Sequence, residues 1–178
     1  MKCNSATATA LTNVSRTKVA EVESNCKMYN PNATTIKCAS TIKVDKPELI
    51  KGKRAIVIED GPTLTHGGMT YGAGYFAAKN AGVAEIVDCQ PYAVGTIKAT
   101  YVKYPNSGDI LPAMGYSPAQ VKDLEDTINA TPADVVIEGT PIDITRLVKI
   151  NKPIASVTYE LEEIEPGVIE AMVKAAVK

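Results

Sequence analysis

The sequence has no tryptophan, a single histidine and a single phenylalanine, and its charges almost cancel. Its 19 basic and 20 acidic residues are dispersed, so there is no basic face of the kind that binds nucleic acid. No apolar run approaches the roughly 20 residues that span a bilayer, and the polar start lacks a signal peptide's apolar core. These absences predict a cytoplasmic protein that binds neither nucleic acid nor a membrane.

The cysteines form no recognisable metal or disulfide pattern. Cys3, Cys26, Cys38 and Cys89 are widely and irregularly spaced, with no C-x-x-C pair, and the chain has only one histidine to join them. This spacing argues against a zinc site and predicts free thiols that pack or face solvent. Whether the protein holds any other metal stays open.

The strongest strand candidates are continuous apolar runs at 54–59, 84–88 and 134–138. Such runs are typical of strands that are buried on both faces of a parallel sheet. Weaker strand candidates are 34–39, 109–111 and 155–161.

Helical patterns alternate with these strands. The clearest helix is 117–129, where Ser117 is a capping residue, Pro118 fits the first turn and Gln120 completes a capping box. The alternation predicts an α/β fold, with a mostly parallel sheet and helices on both faces in a Rossmann-like three-layer arrangement. Other predicted helices are 11–27, 72–81, 93–104, 144–149 and 168–177.

A domain boundary is predicted at the charged stretch 45–53, which contains proline and glycine. The chain is long enough for one α/β domain with a small appendage. We therefore expect residues 1–44 to be an appendage and residues 45–178 to form the α/β domain.

The segment 60–74 after the first strong strand holds five of the 12 glycines. Glycine lets backbone N–H groups approach phosphate or carboxylate oxygens, and the dipole of a helix that begins near Gly72 would add to the attraction. A flexible connection is the alternative, but loops of this length are more often functional. His66, the sole histidine, is a candidate catalytic residue. The predicted ligand-binding residues are Asp60, Thr63, Thr65, Gly67, Gly68, Tyr71, Gly72 and Gly74.

A second candidate turn, 139–146, follows the strand 134–138. Ligands of open parallel sheets lie beyond the carboxyl ends of the strands, so this turn and the glycine-rich segment are expected at one edge. Thr140 and Asp143 are predicted to bind the ligand, and Arg146 joins His66 as a candidate catalytic residue. For Asp143, helix capping is an equally good interpretation.

The segment 72–77 also matches a dinucleotide-binding fingerprint, with Asp88 placed to bind a ribose. That fingerprint requires a tight turn, whereas about a dozen residues separate the strand from Gly72. A dinucleotide is therefore the weaker alternative. No G-x-x-x-x-G-K-[S/T] sequence occurs, so the chain has no P-loop of its own.

Several segments together resemble the carboxyl-terminal part of the cyclic 2,3-diphosphoglycerate synthetase family, also described as predicted GTPases. The resemblance implies ATP-driven ring closure of 2,3-diphosphoglycerate, with Mg²⁺ and ATP or GTP bound through a separate P-loop region. Segments 1–6 and 30–34 resemble the end of that nucleotide domain. The matching segments are 59–69, 71–74, 85–88, 91–93, 111–116 and 139–143.

We therefore expect a domain that binds a phosphorylated small molecule for a ligase or NTPase-type synthetase, and that is not catalytic alone. The nucleotide would then be supplied by a P-loop domain. The alternatives are a non-catalytic module that binds a phosphometabolite or a dinucleotide, and an assembly domain that forms homo-oligomers through the apolar-faced helix 168–177.

Overall fold

The computed structural model describes residues 7–10, 16–61, 64, 70–115 and 117–177. The strands are β1 (Thr7–Ala10), β2 (Thr35–Val44), β3 (Arg54–Asp60), β4 (Glu85–Ile86), β5 (Leu111–Ala113), β6 (Val135–Gly139) and β7 (Ile154–Glu163). The α-helices are α1 (Arg16–Tyr29), α2 (Ala73–Ala81), α3 (Gly95–Lys103), α4 (Pro118–Ala130) and α5 (Val168–Ala176).

The chain divides into two compact units. Residues Ile42–Thr158 form one unit, and Met1–Thr41 together with Tyr159–Lys178 form the other. The predicted organisation, with an appendage at 1–44 and an α/β domain at 45–178, stays a prediction.

The larger unit is built on a parallel sheet with the strand order β7-β6-β3-β4, and β5 also pairs with β3. β4 pairs with the start of β3, and β5 pairs with its end. Opposite Glu59 lie Gly139 of β6 and Pro112 of β5, so the carboxyl ends of three strands meet at one edge. The predicted α/β class with a mostly parallel sheet is confirmed.

Helices cover both faces of this sheet. Alternate residues of β3 and β6 point to opposite faces, and because both sets are apolar, both faces need to be buried. Against one face pack Ile97 of α3 and Leu124 and Ile128 of α4. Against the other pack Ala77 and Ala78 of α2. The fully buried residues of β3 and β6 are Ala55, Ile56, Val57, Ile58, Val135, Val136 and Ile137.

The smaller unit contains a strand that the sequence patterns did not predict. β1 runs parallel to β2, with Thr7 opposite Thr35. In the same unit the Ile164 N–H donates to the Lys37 carbonyl at 3.0 Å. The four residues of β1 alternate threonine and alanine, which gives little hydrophobic contrast, and this explains why the apolar pattern missed it.

The predicted helix 144–149 is wrong beyond its first turn. A 3-10 helix covers only Ile144–Arg146. Beyond it, backbone N–H groups are taken by side chains of α4: the Lys149 N–H donates to Glu125 Oε2 at 2.7 Å, and the Asn151 N–H to Asn129 Oδ1 at 3.0 Å. These bonds satisfy the backbone without a helix.

The predicted capping box at the start of α4 is confirmed. Ser117 Oγ accepts the Gln120 N–H at 3.3 Å, and Gln120 Oε1 accepts the Ser117 N–H at 3.0 Å. Replacing Ser117 with alanine leaves a first-turn N–H without this partner. We expect Ser117→Ala to lower the free energy of unfolding by about 1 kcal/mol in urea titrations. Ser24→Ala, on the exposed part of α1, is the control; equal losses in both variants would contradict the prediction.

Two further sequence expectations concern cysteines and membranes. Cys26, Cys38 and Cys89 are free thiols, as predicted for these three, and Cys3 lies outside the described residues. Within the ranges described, no helix has the length and apolar character needed to cross a bilayer.

Candidate functional site

The structure describes seven of the twelve predicted site residues. Thr63, Thr65, His66, Gly67 and Gly68 lie outside the described residues, so their roles stay predictions. The described ones come from the end of β3, the start of α2 and the turn after β6. They are Asp60, Tyr71, Gly72, Gly74, Thr140, Asp143 and Arg146.

A small pocket, with a cavity volume of about 80 Å³, lies where β3, β5 and β6 end. Asp60 ends β3, Ala113 ends β5, and Thr140 directly follows β6. Because Asp60 pairs with Ala113 and Glu59 with Gly139, the parallel register brings Asp60 and Thr140 to the same pocket. The lining residues are Asp60, Ala113, Met114, Gly115, Leu124, Thr140, Ile142, Ile144 and Leu147.

The walls of the pocket are mostly aliphatic. Asp60 and Thr140 are its two lining residues with a polar side chain. Small-molecule sites commonly combine apolar walls with a few polar groups that fix the orientation of the ligand. This pocket therefore suits an apolar stem that ends in a group able to bond to a carboxylate and a hydroxyl.

The turn after β6 is held by its own side chains. Asp143 Oδ1 accepts the Thr145 N–H at 3.1 Å, which is the capping role left open by the sequence. Arg146 Nε donates to Asp143 Oδ2 at 3.1 Å. The bond from the Thr145 hydroxyl lowers the pKa of Asp143, with smaller contributions from the Thr145 amide and Arg146. Asp143 and Arg146 lie beside the lining residue Ile144 but do not line the pocket.

Arg146 is strongly exposed, with 84% of its side-chain surface accessible. An ion pair this exposed adds little to stability, because water and salt screen the charges. Its guanidinium is thus positioned by Asp143 but remains open to solvent. Its predicted catalytic role stays a prediction.

Glu59, which the sequence patterns did not single out, is a buried carboxylate at the carboxyl end of β3. It is 2% exposed. Its Oε1 accepts the N–H groups of Gly72 at 3.1 Å and of Tyr75 at 2.9 Å, at the start of α2. Burial raises the pKa of Glu59 from 4.5 to about 7, while these backbone hydrogen bonds oppose the rise.

Three glycines surround this carboxylate. A Cβ atom on Gly72 or on Gly139 would lie 2.6 Å from Glu59 Oε2, and one on Gly74 would lie 3.1 Å from Oε1. A methyl group cannot fit at the two closer positions without movement of its neighbours. The N–H of Gly72, predicted to bind a ligand anion, is bonded to Glu59 in this structure.

A second buried glutamate, Glu138, ends the apolar part of β6. Its Oε1 accepts the Ile144 N–H at 2.6 Å, and its Oε2 accepts the Ser156 hydroxyl at 2.8 Å. The side chain is 4% exposed. Glu138 thereby ties the turn that carries Asp143 and Arg146 to the sheet.

Tyr71 lies in an aromatic group rather than in the pocket. Its ring stacks on Tyr75 with centroids 5.4 Å apart and meets the edge of Phe76 at 5.3 Å. Aromatic contacts of this kind stabilise local packing. Tyr71 is 43% exposed, so part of its surface remains accessible to a ligand.

Comparison with known proteins gives one informative match. No family model matches the chain. Over 149 residues the chain is 62% identical to a protein named arginine synthetase ArcE, from Thermococcus kodakarensis. The match covers 84% of this chain but 33% of that protein, so the chain spans about a third of the length of this curated relative. The expected similarity to a synthetase is therefore confirmed.

Proposed function

We propose that this chain forms a substrate-binding part of a synthetase that makes arginine, and that its pocket holds the side chain of arginine or of its immediate precursor. The observation that carries the proposal is the pocket at the ends of β3, β5 and β6, in a chain similar to a protein named arginine synthetase. The remainder of the catalytic machinery is assigned to parts of the enzyme beyond the matched region.

The chemistry of the lining supports this ligand class. Arginine has an aliphatic stem and a planar guanidinium with five N–H donors. The stem would contact aliphatic walls such as Ile144 and Leu147, and the guanidinium would donate to the Asp60 carboxylate. Carboxylates bind guanidinium groups with strong, charge-assisted hydrogen bonds.

Electrostatics at this edge also favour a cationic ligand over a free phosphate. Asp60 lines the pocket, and Asp143 stands in the neighbouring turn. Arg146 is paired with Asp143, which offsets part of its charge. A phosphate in the pocket would face the carboxylate of Asp60, and like charges at close range repel.

The predicted phosphorylated ligand remains a second candidate, because the segment 60–74 is rich in glycine. Seven of its 15 residues, including Gly67 and Gly68, lie outside the described residues. The first-turn amides of Gly72 and Tyr75 donate to Glu59, and the sequence contains no P-loop, so the described part of this chain offers no support for binding a nucleoside triphosphate with Mg²⁺. We assign ATP or GTP to a P-loop domain elsewhere in the enzyme or on a partner chain.

The test is isothermal titration of the purified chain with L-arginine, and separately with 2,3-diphosphoglycerate. We expect arginine to bind and Asp60→Asn to weaken its affinity roughly tenfold or more, because the substitution removes a charge-assisted bond. Asp126→Asn, which removes an acid from the surface of α4, is the control of equal charge.

Two outcomes would contradict the proposal. If 2,3-diphosphoglycerate binds and arginine does not, the second candidate is favoured. If arginine binds equally well to the wild type and to Asp60→Asn, the pocket is not its site. Titration with ATP and GTP in the presence of Mg²⁺ is expected to give no binding by this chain.

A further inference from the structure

We propose that Glu59 is a positioning residue for the pocket, and that its carboxylate braces the end of the glycine-rich segment and the first turn of α2 against the end of β6. The inference rests on the proposed function only in treating the pocket as the binding site. The contacts of Glu59 carry it independently.

Glu59 does not touch the pocket directly. It adjoins Asp60 in β3, and consecutive strand side chains point to opposite faces. Asp60 lines the pocket together with Leu124 and Ile144, which belong to the core on the α3 and α4 face. Glu59 instead bonds to the start of α2, on the other face. Glu59 can therefore affect a bound ligand only through the backbone of β3, of the start of α2 and of the turn after β6.

The contacts join segments that are far apart in sequence. The Gly72 N–H lies 13 residues from Glu59, and Gly139 comes from a neighbouring strand. The N-cap residue of α2 is Gly72, which has no side chain to cap the helix. A carboxylate from β3 therefore does what an Asp or Ser at the N-cap does in an ordinary helix.

Close packing surrounds the Glu59 carboxylate where α2 meets β6. The Gly139 Cα lies so close to Gly74 that an added Cβ would be 2.8 Å from the Gly74 nitrogen. α2 thus approaches β6 directly beside the Glu59 carboxylate. Thr140, which lines the pocket, is the next residue after Gly139. A shift of this contact would move Thr140 relative to Asp60.

The charged surroundings of Glu59 are sparse in the part of the chain that the structure describes. Its own strand contributes Asp60, whose charge acts on it, and α2 contributes the backbone N–H groups of Gly72, Gly74 and Tyr75. From β6 it meets Gly139, which has no side chain. The hydrogen-bonding partners of Glu59 are thus backbone groups that both an ionised carboxylate and a glutamine carbonyl can accept.

The experiment is amide hydrogen exchange on the full chain without ligand, for the wild type, Glu59→Gln, Glu59→Leu and the control Glu48→Gln. In Glu59→Leu we expect exchange at Gly72 and Tyr75 to quicken roughly tenfold or more, and exchange in the turn 140–146 to quicken as well. Glu59→Gln should keep most of the protection, because one carbonyl oxygen can accept both N–H groups. Glu48→Gln, at an exposed position, should leave exchange in both segments unchanged.

Two results would overturn the proposal: unchanged exchange in Glu59→Leu, or an equal increase in every segment, which would indicate general destabilisation. If Glu59→Leu does not fold, Glu59→Asp replaces it. Its side chain is one methylene shorter and reaches the Gly72 and Tyr75 N–H groups less well, so exchange at these two amides should quicken; unchanged exchange there would overturn the proposal.

Because these readouts involve no ligand, they separate the two proposals. If arginine fails to bind any variant, the proposed function fails while the exchange results still test Glu59. If arginine binds the wild type, Glu59→Leu should have a weaker affinity for arginine. Glu59→Gln should bind arginine about as tightly as the wild type does. Equal affinity in all variants, with altered exchange, would show that Glu59 orders the turns without positioning the pocket.

Discussion

Replacing Gly139 with alanine is expected to lower the free energy of unfolding by about 3 kcal/mol. The new Cβ would lie 2.6 Å from Glu59 Oε2, 2.8 Å from the Gly74 nitrogen and 3.0 Å from the Gly74 Cα. Two of these atoms belong to the backbone of α2 and cannot rotate away. The helix, the strand or the buried carboxylate must therefore shift, and urea unfolding of the full chain measures the cost.

Gly115→Ala is the matched control for this substitution. Gly115 lines the pocket, but a Cβ there would meet only Val121 Cγ2, at an ordinary 3.6 Å. We expect its stability to stay within about 0.5 kcal/mol of the wild type. If Gly139→Ala were equally mild, the close approach of α2 to β6 would be wrong.

The sequence predicted the sheet well because its central strands are continuous apolar runs. The runs 54–59 and 134–138 correspond to β3 and β6, which are buried on both faces. Parallel pairing could be predicted from this burial, since strands covered by helices on both sides need apolar residues at every position. The rule that strand ends share one edge then brought Asp60 and Thr140 to one pocket.

The sequence patterns did not predict that two glutamates at the strand ends are buried. Glu59 and Glu138 end their apolar runs, so periodicity presents them as the polar boundary of a strand. Tertiary contacts explain their burial: Glu59 accepts two backbone N–H groups from the start of α2, and Glu138 accepts the Ile144 N–H and the Ser156 hydroxyl. A signal was present: two neighbouring strands both end their apolar run with glutamate, and α2 lacks a capping side chain because its N-cap residue is Gly72.

The predicted anion site at the start of α2 illustrates the same limit. A helix N-terminus preceded by glycines does attract negative charge. The sequence alone does not reveal whether that charge comes from a ligand or from the protein. Here the Gly72 N–H donates to Glu59, 13 residues earlier, and the ligand-binding role of Gly72 stays a prediction. The pocket on the opposite face of the sheet has Asp60 as its charged lining residue.

The stability of the protein should fall as the pH rises from 4 to 8 through the titration of Glu59. Burial raises the pKa of Glu59 from 4.5 to about 7, so between these values the folded state holds a proton that the unfolded chain has released. A raised carboxyl pKa contributes stability that is present below the unfolded value and lost as the pH rises through the folded value. For this shift the loss is about 3 kcal/mol.

Comparison with Glu59→Gln isolates this contribution from the other acids. Asp143 and Asp123, whose pKa values are lowered, act in the opposite direction, but they are present in both proteins. The stability of Glu59→Gln relative to the wild type should therefore rise by about 3 kcal/mol between pH 4 and pH 8. Urea titrations at several pH values give this difference directly. If it stays constant, Glu59 does not titrate in this range, and its carboxylate is more accessible to water than its burial in the sheet indicates.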